Sequence, residues 1–166
     1  MSDSTAIPCL ALEVSELLQR QGLTLGLAES ATGGLISSWL TGLSGSSVCF
    51  RGAVVAYDNR IKVRLLGVSP ESLARHGAVS PSVAEEMARG ARERLETDLA
   101  LSDTGIAGPS GATPSKPVGL FYVALASEGA TVVEKHSFAG DRLSIRVQAS
   151  IAALDLLRRR LLAPSG

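Results

Sequence analysis

Leu23 to Ala28 reads LTLGLA, a short apolar run suited to a strand buried on both faces, and it empties directly into Glu29-Ser30-Ala31-Thr32-Gly33-Gly34. An apolar helical pattern resumes at Leu35 and continues to Leu40, with Thr32 as candidate cap, its hydroxyl accepting from free backbone N–H groups. A strand, a turn of small residues and a helix in immediate succession are the building unit of a sheet covered by helices. Polar turns that follow strands in such sheets are natural places for a site.

The rest of the chain repeats the alternation. Leu10, Val14, Leu17 and Leu18 recur at helical spacing between Pro8 and Arg20, and Gly22 supplies a stop. The segment VCFRGAVVAY, after the polar turn Ser44 to Ser47, has the Val and aromatic enrichment of a strand. Ser80 to Leu95 gives the clearest helix, capped by Ser80 and begun by Pro81. Leu99 to Ser102 predicts a short strand leading into TGIAGPSGATPSKPVG, the longest irregular segment. Leu120 to Ser127 and Thr131 to Phe138, joined by a glycine-containing connection, predict an antiparallel hairpin. Asp141 is the expected cap of a last helix striped with Ile145, Val147, Ile151, Leu154, Leu157 and Leu161. The predicted fold class is α/β: a three-layer α/β/α sandwich with a mixed, mostly parallel sheet, ending in a C-terminal hairpin and helix. The expected organisation is one domain over residues 1–166, with no internal repeat and no linker.

Charge and composition remove several functions. Sixteen basic and sixteen acidic side chains balance to zero, so nothing draws the whole chain toward nucleic acid or an anionic membrane, and any phosphate site must be local. Cys9, Cys49, His76 and His136 show no zinc-ligand spacing, so neither metal nor cofactor is expected. The N-terminal MSDSTAIPCL lacks a basic head before an apolar stretch, and no uncharged apolar run is long enough to span a bilayer. A cytoplasmic location is the expectation.

Four clusters could carry chemistry. In the turn at 29–34, small residues let backbone N–H groups approach an anion or an oxyanion, and Ser30 is placed as a nucleophile; a helix cap with a tight turn is the plainer alternative. Lys62 follows a strand and the phenol Tyr57, and it becomes a base only if burial or a neighbouring cation lowers its pKa; an exposed lysine is the commoner case. Thr104-Gly105-Ile106-Ala107-Gly108-Pro109 could expose N–H groups as an anion nest through Gly105 and Gly108, or form a rigid surface loop. Arg142 and Arg146 share a helix face and could grip a phosphate or carboxylate, although exposed arginines commonly only solvate a surface. Ser46 and Ser47 could add hydroxyl donors or cap a turn. No GxxxxGKS or GxxxxGKT nucleotide loop, GxGxxG turn, HExxH or GxSxG elbow occurs.

Taken in order, LAESATGGLIS, GSSVCFRGAVVAYDNRIKVRLLGV, HGAVS, TGIAGPSG, KPVG and GDR followed by Arg146 resemble the CinA C-terminal domain family, also called nicotinamide-nucleotide amidohydrolases, in its stand-alone form. The resemblance covers about Leu10 to Leu161. It implies a three-layer α/β/α fold, assembly as a homo-oligomer, and metal-independent hydrolysis of the carboxamide of nicotinamide mononucleotide to the nicotinic acid form by a serine–lysine mechanism. Carried over on the matching motifs, Ser30 is the nucleophile and Lys62 its base, with Tyr57 and Thr104 as supporting polar residues. Thr32, Gly33 and Gly34 are candidates for the oxyanion, and Gly105, Gly108, Ser46, Ser47, Arg142 and Arg146 for the rest of the substrate.

Three positions depart from the family pattern. Ala31 stands where the family commonly has Cys, Asp58 replaces the more usual Ser, and Ala112 replaces a Gly. A carboxylate at Asp58 could pair with Lys62 and raise its pKa. The competing reading is therefore a nucleotide-binding or partner-binding module of the same fold that has lost turnover.

Overall fold

The computed structural model describes residues 8–164; the N-terminal reading of residues 1–7 lies outside them. Helix α1 (Cys9–Gln21) buries Ala11, Val14, Leu17 and Leu18 and stops at Gly22, whose left-handed φ of 65° returns its amide to the carbonyls of Leu18 and Gln19. Strand β1 (Leu25–Glu29) is buried at every position, as its unbroken apolar sequence predicts. After the turn at 30–34 comes α2 (Leu35–Thr41), then a 3-10 turn (Ser46–Val48) and strand β2 (Phe50–Val55). Two short helices that the sequence reading did not identify follow, α3 (Asn59–Leu66) and α4 (Pro70–His76). Each has a local cap, Asp58 accepting from the Arg60 amide and Ser69 from that of Glu71. Helix α5 (Pro81–Arg94) begins at the predicted Ser80 cap. Strand β3 runs Leu99–Gly105, three residues past its predicted end, and the hairpin β4 (Leu120–Ser127) and β5 (Ala130–Ser137) precedes α6 (Arg142–Leu162), capped by Asp141.

The strands lie in the order β2-β1-β3-β4-β5. β2, β1 and β3 are mutually parallel, and β4 and β5 add antiparallel pairings. The sheet is thus mixed, around a parallel core. Strand alternation sends Leu25, Leu27, Leu99, Leu101, Val123 and Leu125 toward a layer that includes α1, α2 and α6. Ala28 and Ala100 point the other way, to Leu66, Val83, Met87 and Ala91 of α3 and α5. This is the expected three-layer sandwich.

Small residues draw the second layer close. Ala84 and Ala88 of α5 pack on Ala124 and Ala126 of β4. A Cβ on Gly90 of α5 would lie 1.8 Å from the Leu66 carbonyl oxygen, so that glycine lets the end of α3 rest on α5. α3 carries Lys62, and this contact sets its height above the sheet. Because β1, β2 and β3 are parallel, Glu29, Val55 and Gly105 end at one edge of the sheet. The turns that leave this edge build the site.

Candidate active site

The residues after these strand ends enclose a cavity of about 320 Å³. Ser30 and Ala31 reach it from the turn after β1, Tyr57, Asn59 and Lys62 from the segment after β2, and Thr104 to Gly108 from the end of β3; Arg142 enters from the start of α6. Ser30, Lys62, Tyr57, Thr104, Gly105, Gly108 and Arg142 therefore meet around one space.

Lys62 is only 1% exposed, and its Nζ donates to the carbonyl of Ala56 at 2.8 Å. Burial pushes its pKa below the ordinary lysine range, against the opposing pull of Asp103 and, more weakly, of Asp58. In its neutral form, an amine held by one N–H keeps a lone pair free to accept a proton. Asp58 does not take up the pairing that its position suggested. Its carboxylate caps α3 and binds the Arg60 guanidinium at 3.1 Å, which holds its own pKa down.

The turn around Ser30 is held by two buried carboxylates that the sequence reading passed over. Glu29 accepts from the amides of Gly34, Ile36 and Ser37 and from the hydroxyl of Thr32. Asp103 accepts from the amides of Ser30 and Thr32 at 3.2 and 3.0 Å, and burial together with the charge of Glu29 pushes its pKa up to about 6. The signal was present in the alternation: Glu29 shares a strand face with Leu25 and Leu27, and Asp103 with Leu99 and Leu101. A carboxylate on an otherwise apolar strand face needs buried donors.

These carboxylates correct the expected oxyanion donors. The amides of Thr32, Gly33 and Gly34 already serve Asp103, the Ser30 carbonyl and Glu29. Across 30–37 only the Ala31 N–H has no acceptor among the described residues, and Ala31 lines the cavity. Thr32 does not cap α2 either; Gly34 takes the cap position in a left-handed φ of 94°, and the Thr32 hydroxyl turns inward.

The expected anion nest is also reshaped. Gly105 ends β3, where a Cβ would lie 2.3 Å from the Phe121 ring, so this glycine serves packing. Ala107 and Gly108 have amides with no acceptor among the described residues, and both line the cavity. Thr104 donates its hydroxyl to the Ala78 carbonyl at 2.8 Å, and Lys116 ties the long loop to the carbonyl of His76. Arg142 donates to the Gly108 carbonyl at 2.7 Å and to the Tyr57 hydroxyl at 2.8 Å, closing the cavity on one side.

Thr32, Gly33 and Gly34 do not line the cavity, and three further expected contacts, Arg146, Ser46 and Ser47, are not at it either. Arg146 spends its guanidinium on the Thr32 carbonyl, at 2.7 Å, and so fastens α6 to the turn. Ser46 and Ser47 sit just before β2, where Cys49 bonds the first residue of β1, at the opposite end of the parallel strands. Among the described residues, no group of three or more His, Cys, Asp and Glu side chains could hold a metal ion, and no helix is long and apolar enough to cross a membrane.

A mixed-sheet α/β/α arrangement with a cavity at its parallel strand ends, lined by a serine and a buried lysine, defines a class of small α/β protein. The family model described as CinA C-terminal domain matches residues 9–161, and the chain belongs to that family. It is 55% identical over 156 residues to a CinA-like protein of Trichormus variabilis, covering 92% of this chain and 38% of that protein. A putative competence-damage inducible protein of Halothermothrix orenii is 48% identical over 160 residues, covering 96% of this chain and 38% of its own length. The chain thus spans about two fifths of the curated relatives it matches. Among solved structures, the competence/damage inducible protein CihA from Agrobacterium tumefaciens superimposes with a TM-score of 0.89 at 37% identity, covering 93% of this chain and 94% of that one. The competence damage-inducible protein A (ComA) from Klebsiella pneumoniae gives 0.91 at 31% identity, covering 94% and 97%.

Proposed function

We propose that this chain hydrolyses the carboxamide of nicotinamide mononucleotide, releasing ammonia and nicotinic acid mononucleotide, with Ser30 as nucleophile and Lys62 as its base. The observation that carries the reading is the burial of Lys62 in the wall of the cavity that Ser30 also lines. A lysine that works as a base must spend part of its time neutral, and burial supplies that condition.

Ser30 Oγ attacks the amide carbon as its proton passes to Lys62 Nζ. The C–N bond then breaks, Lys62 returns the proton to the departing nitrogen, and ammonia leaves an acyl-serine ester. Water, deprotonated by the same amine, attacks the ester; Lys62 returns that proton to Ser30 Oγ as the acyl–oxygen bond breaks, and the acid leaves as its carboxylate, its proton passing to solvent. The Ala31 N–H, next to the nucleophile, is the donor for the oxyanion. The amides of Ala107 and Gly108, unpaired among the described residues, and the guanidinium of Arg142 suit the phosphate. A homo-oligomer remains part of the proposal.

Asp58, one motive for an inactive binding module, is occupied by Arg60 and its helix cap, so that motive weakens. The deciding assay is ammonia release from nicotinamide mononucleotide, without added metal, by wild type, Ser30→Ala and Lys62→Ala. Release by wild type and its loss in both variants is expected. Undiminished turnover in either variant removes the pair, and tight nucleotide binding without ammonia from wild type favours the binding module.

A further inference from the structure

Thr32 Oγ1 lies 2.7 Å from Glu29 Oε2 and 2.5 Å from Asp103 Oδ2, and all three side chains are buried. A threonine hydroxyl has one hydrogen, and at two full-strength O–H···O distances it is aimed at only one of these oxygens. Toward the other it can only accept, and an ionised carboxylate has nothing to donate. Two close contacts from one hydroxyl to two carboxyl groups therefore require a proton on one of them.

We propose that Glu29, Thr32 and Asp103 hold one proton in common, seated on Asp103, so that the pair carries a single negative charge under weakly acidic conditions that ionise ordinary aspartates. In this chain Asp103 Oδ2–H donates to Thr32 Oγ1, and the Thr32 hydroxyl donates to Glu29. Glu29 is the member that stays charged, because three backbone amides and the Ser37 hydroxyl already converge on it. Among the described residues Asp103 receives only two amides and touches no cation; its raised pKa agrees with that seat.

The ionisable surroundings are few. Glu29 faces Asp103 from β1, Lys62 acts on it from α3, and Arg146 of α6 reaches the Thr32 carbonyl. β4 sets Val123 opposite Asp103, the buried residues of α2 are Ile36, Trp39 and Leu40, and α5 turns an apolar face to the sheet. Asp103 is a positioning residue: through the amides of Ser30 and Thr32 it orients the turn, and once the shared proton is lost at higher pH its charge acts on Lys62. This last effect rests on the amidase reading, whereas the shared proton does not.

The test is a titration of wild-type protein with ¹³C-labelled aspartate carboxyls, followed by NMR. One resonance, assigned by its absence from Asp103→Asn or by sequential assignment in wild type, should titrate about two pH units above an ordinary aspartate. In Glu29→Gln it should fall by about one unit or more, because the second carboxylate is gone. A wild type whose aspartates all titrate normally overturns the proposal, as does an Asp103 resonance unmoved by Glu29→Gln. In the amidase assay, Asp103→Asn should move the acid limb of kcat/KM to lower pH, since Lys62 loses a charge that favours its protonated form. A lower kcat with the limb unmoved overturns the coupling to Lys62. A wild type that makes no ammonia rejects the amidase reading and leaves the titration to decide the shared proton.

Discussion

The amine of Lys62 lies 2.8 Å from the carbonyl oxygen of Ala56, six residues earlier, where the chain leaves β2 for α3. The bond holds one N–H in a buried place, and the short run from β2 to α3 sets where the amine stands. Lys62→Met keeps the bulk, removes the buried amine and should lower kcat by about 10²–10⁴-fold, as expected for loss of a positioned base. Thermal unfolding should show the variant as stable as wild type near neutral pH. For a lysine whose folded pKa is depressed, wild-type stability rises as pH climbs from that value to the ordinary lysine pKa, and Lys62→Met should lose this rise.

Arg142 spans the cavity between Gly108 and Tyr57 and is the cation best placed to meet a phosphate. A charge-assisted hydrogen bond contributes about 1.5–3 kcal/mol, so Arg142→Ala should raise KM by roughly 10–150-fold. Steady-state kinetics should leave kcat within a few-fold of wild type. A fall confined to kcat would place Arg142 at the reacting carbon.

Asp58 is held by Arg60 and contributes the weakest of the pulls on Lys62. Asp58→Ser restores the residue more usual in the family and keeps a capping oxygen for α3. Its kcat/KM should stay within about twofold of wild type across the pH profile, because an exposed, screened carboxylate moves a buried amine little. A shift of the acid limb by a full unit would show that Asp58 governs Lys62.

Gly90→Ala should destabilise the fold although alanine favours a helix by about 1 kcal/mol. Its Cβ would meet the Leu66 carbonyl at 1.8 Å, and overpacking costs about 1–3 kcal/mol. Denaturant unfolding measures the sign. Activity should fall in the part that remains folded, because the contact raises or lowers the helix bearing Lys62.

Asp103 should leave a mark on stability against pH. Its pKa rises from the model-peptide value of 3.8 to about 6, so over that window the folded state holds a proton that the unfolded state has released, and stability falls as pH rises. The stability difference between wild type and Asp103→Asn, measured by urea unfolding at several pH values, should therefore move in favour of the variant between about pH 4 and 6 and then level off.

Much of the architecture was legible along the chain because it depends on local pattern. The period of Leu10, Val14, Leu17 and Leu18 marks α1, Ser80-Pro81 marks the start of α5, and the glycine-containing connection marks the β4–β5 hairpin. The motif order identified the family, and with it Ser30 and Lys62 as the residues to find. The pair α3 and α4 escaped the reading because each is about two turns long, too short for a hydrophobic period to stand out.

Tertiary structure alone decided the environment of each group. Lys62 reads as a surface lysine until α3 lies on Gly90 and removes it from water. The amides of Thr32 and Gly34 read as open donors until Asp103, seventy-one residues away from Thr32, and Glu29 claim them. Ser46 and Ser47 read as neighbours of the site until the parallel strands carry them to its far end. Sequence pattern reports which groups a helix or strand presents, since that follows from periodicity. Desolvation, charge coupling and hydrogen-bond competition depend on distances through space, and only the packed chain sets those.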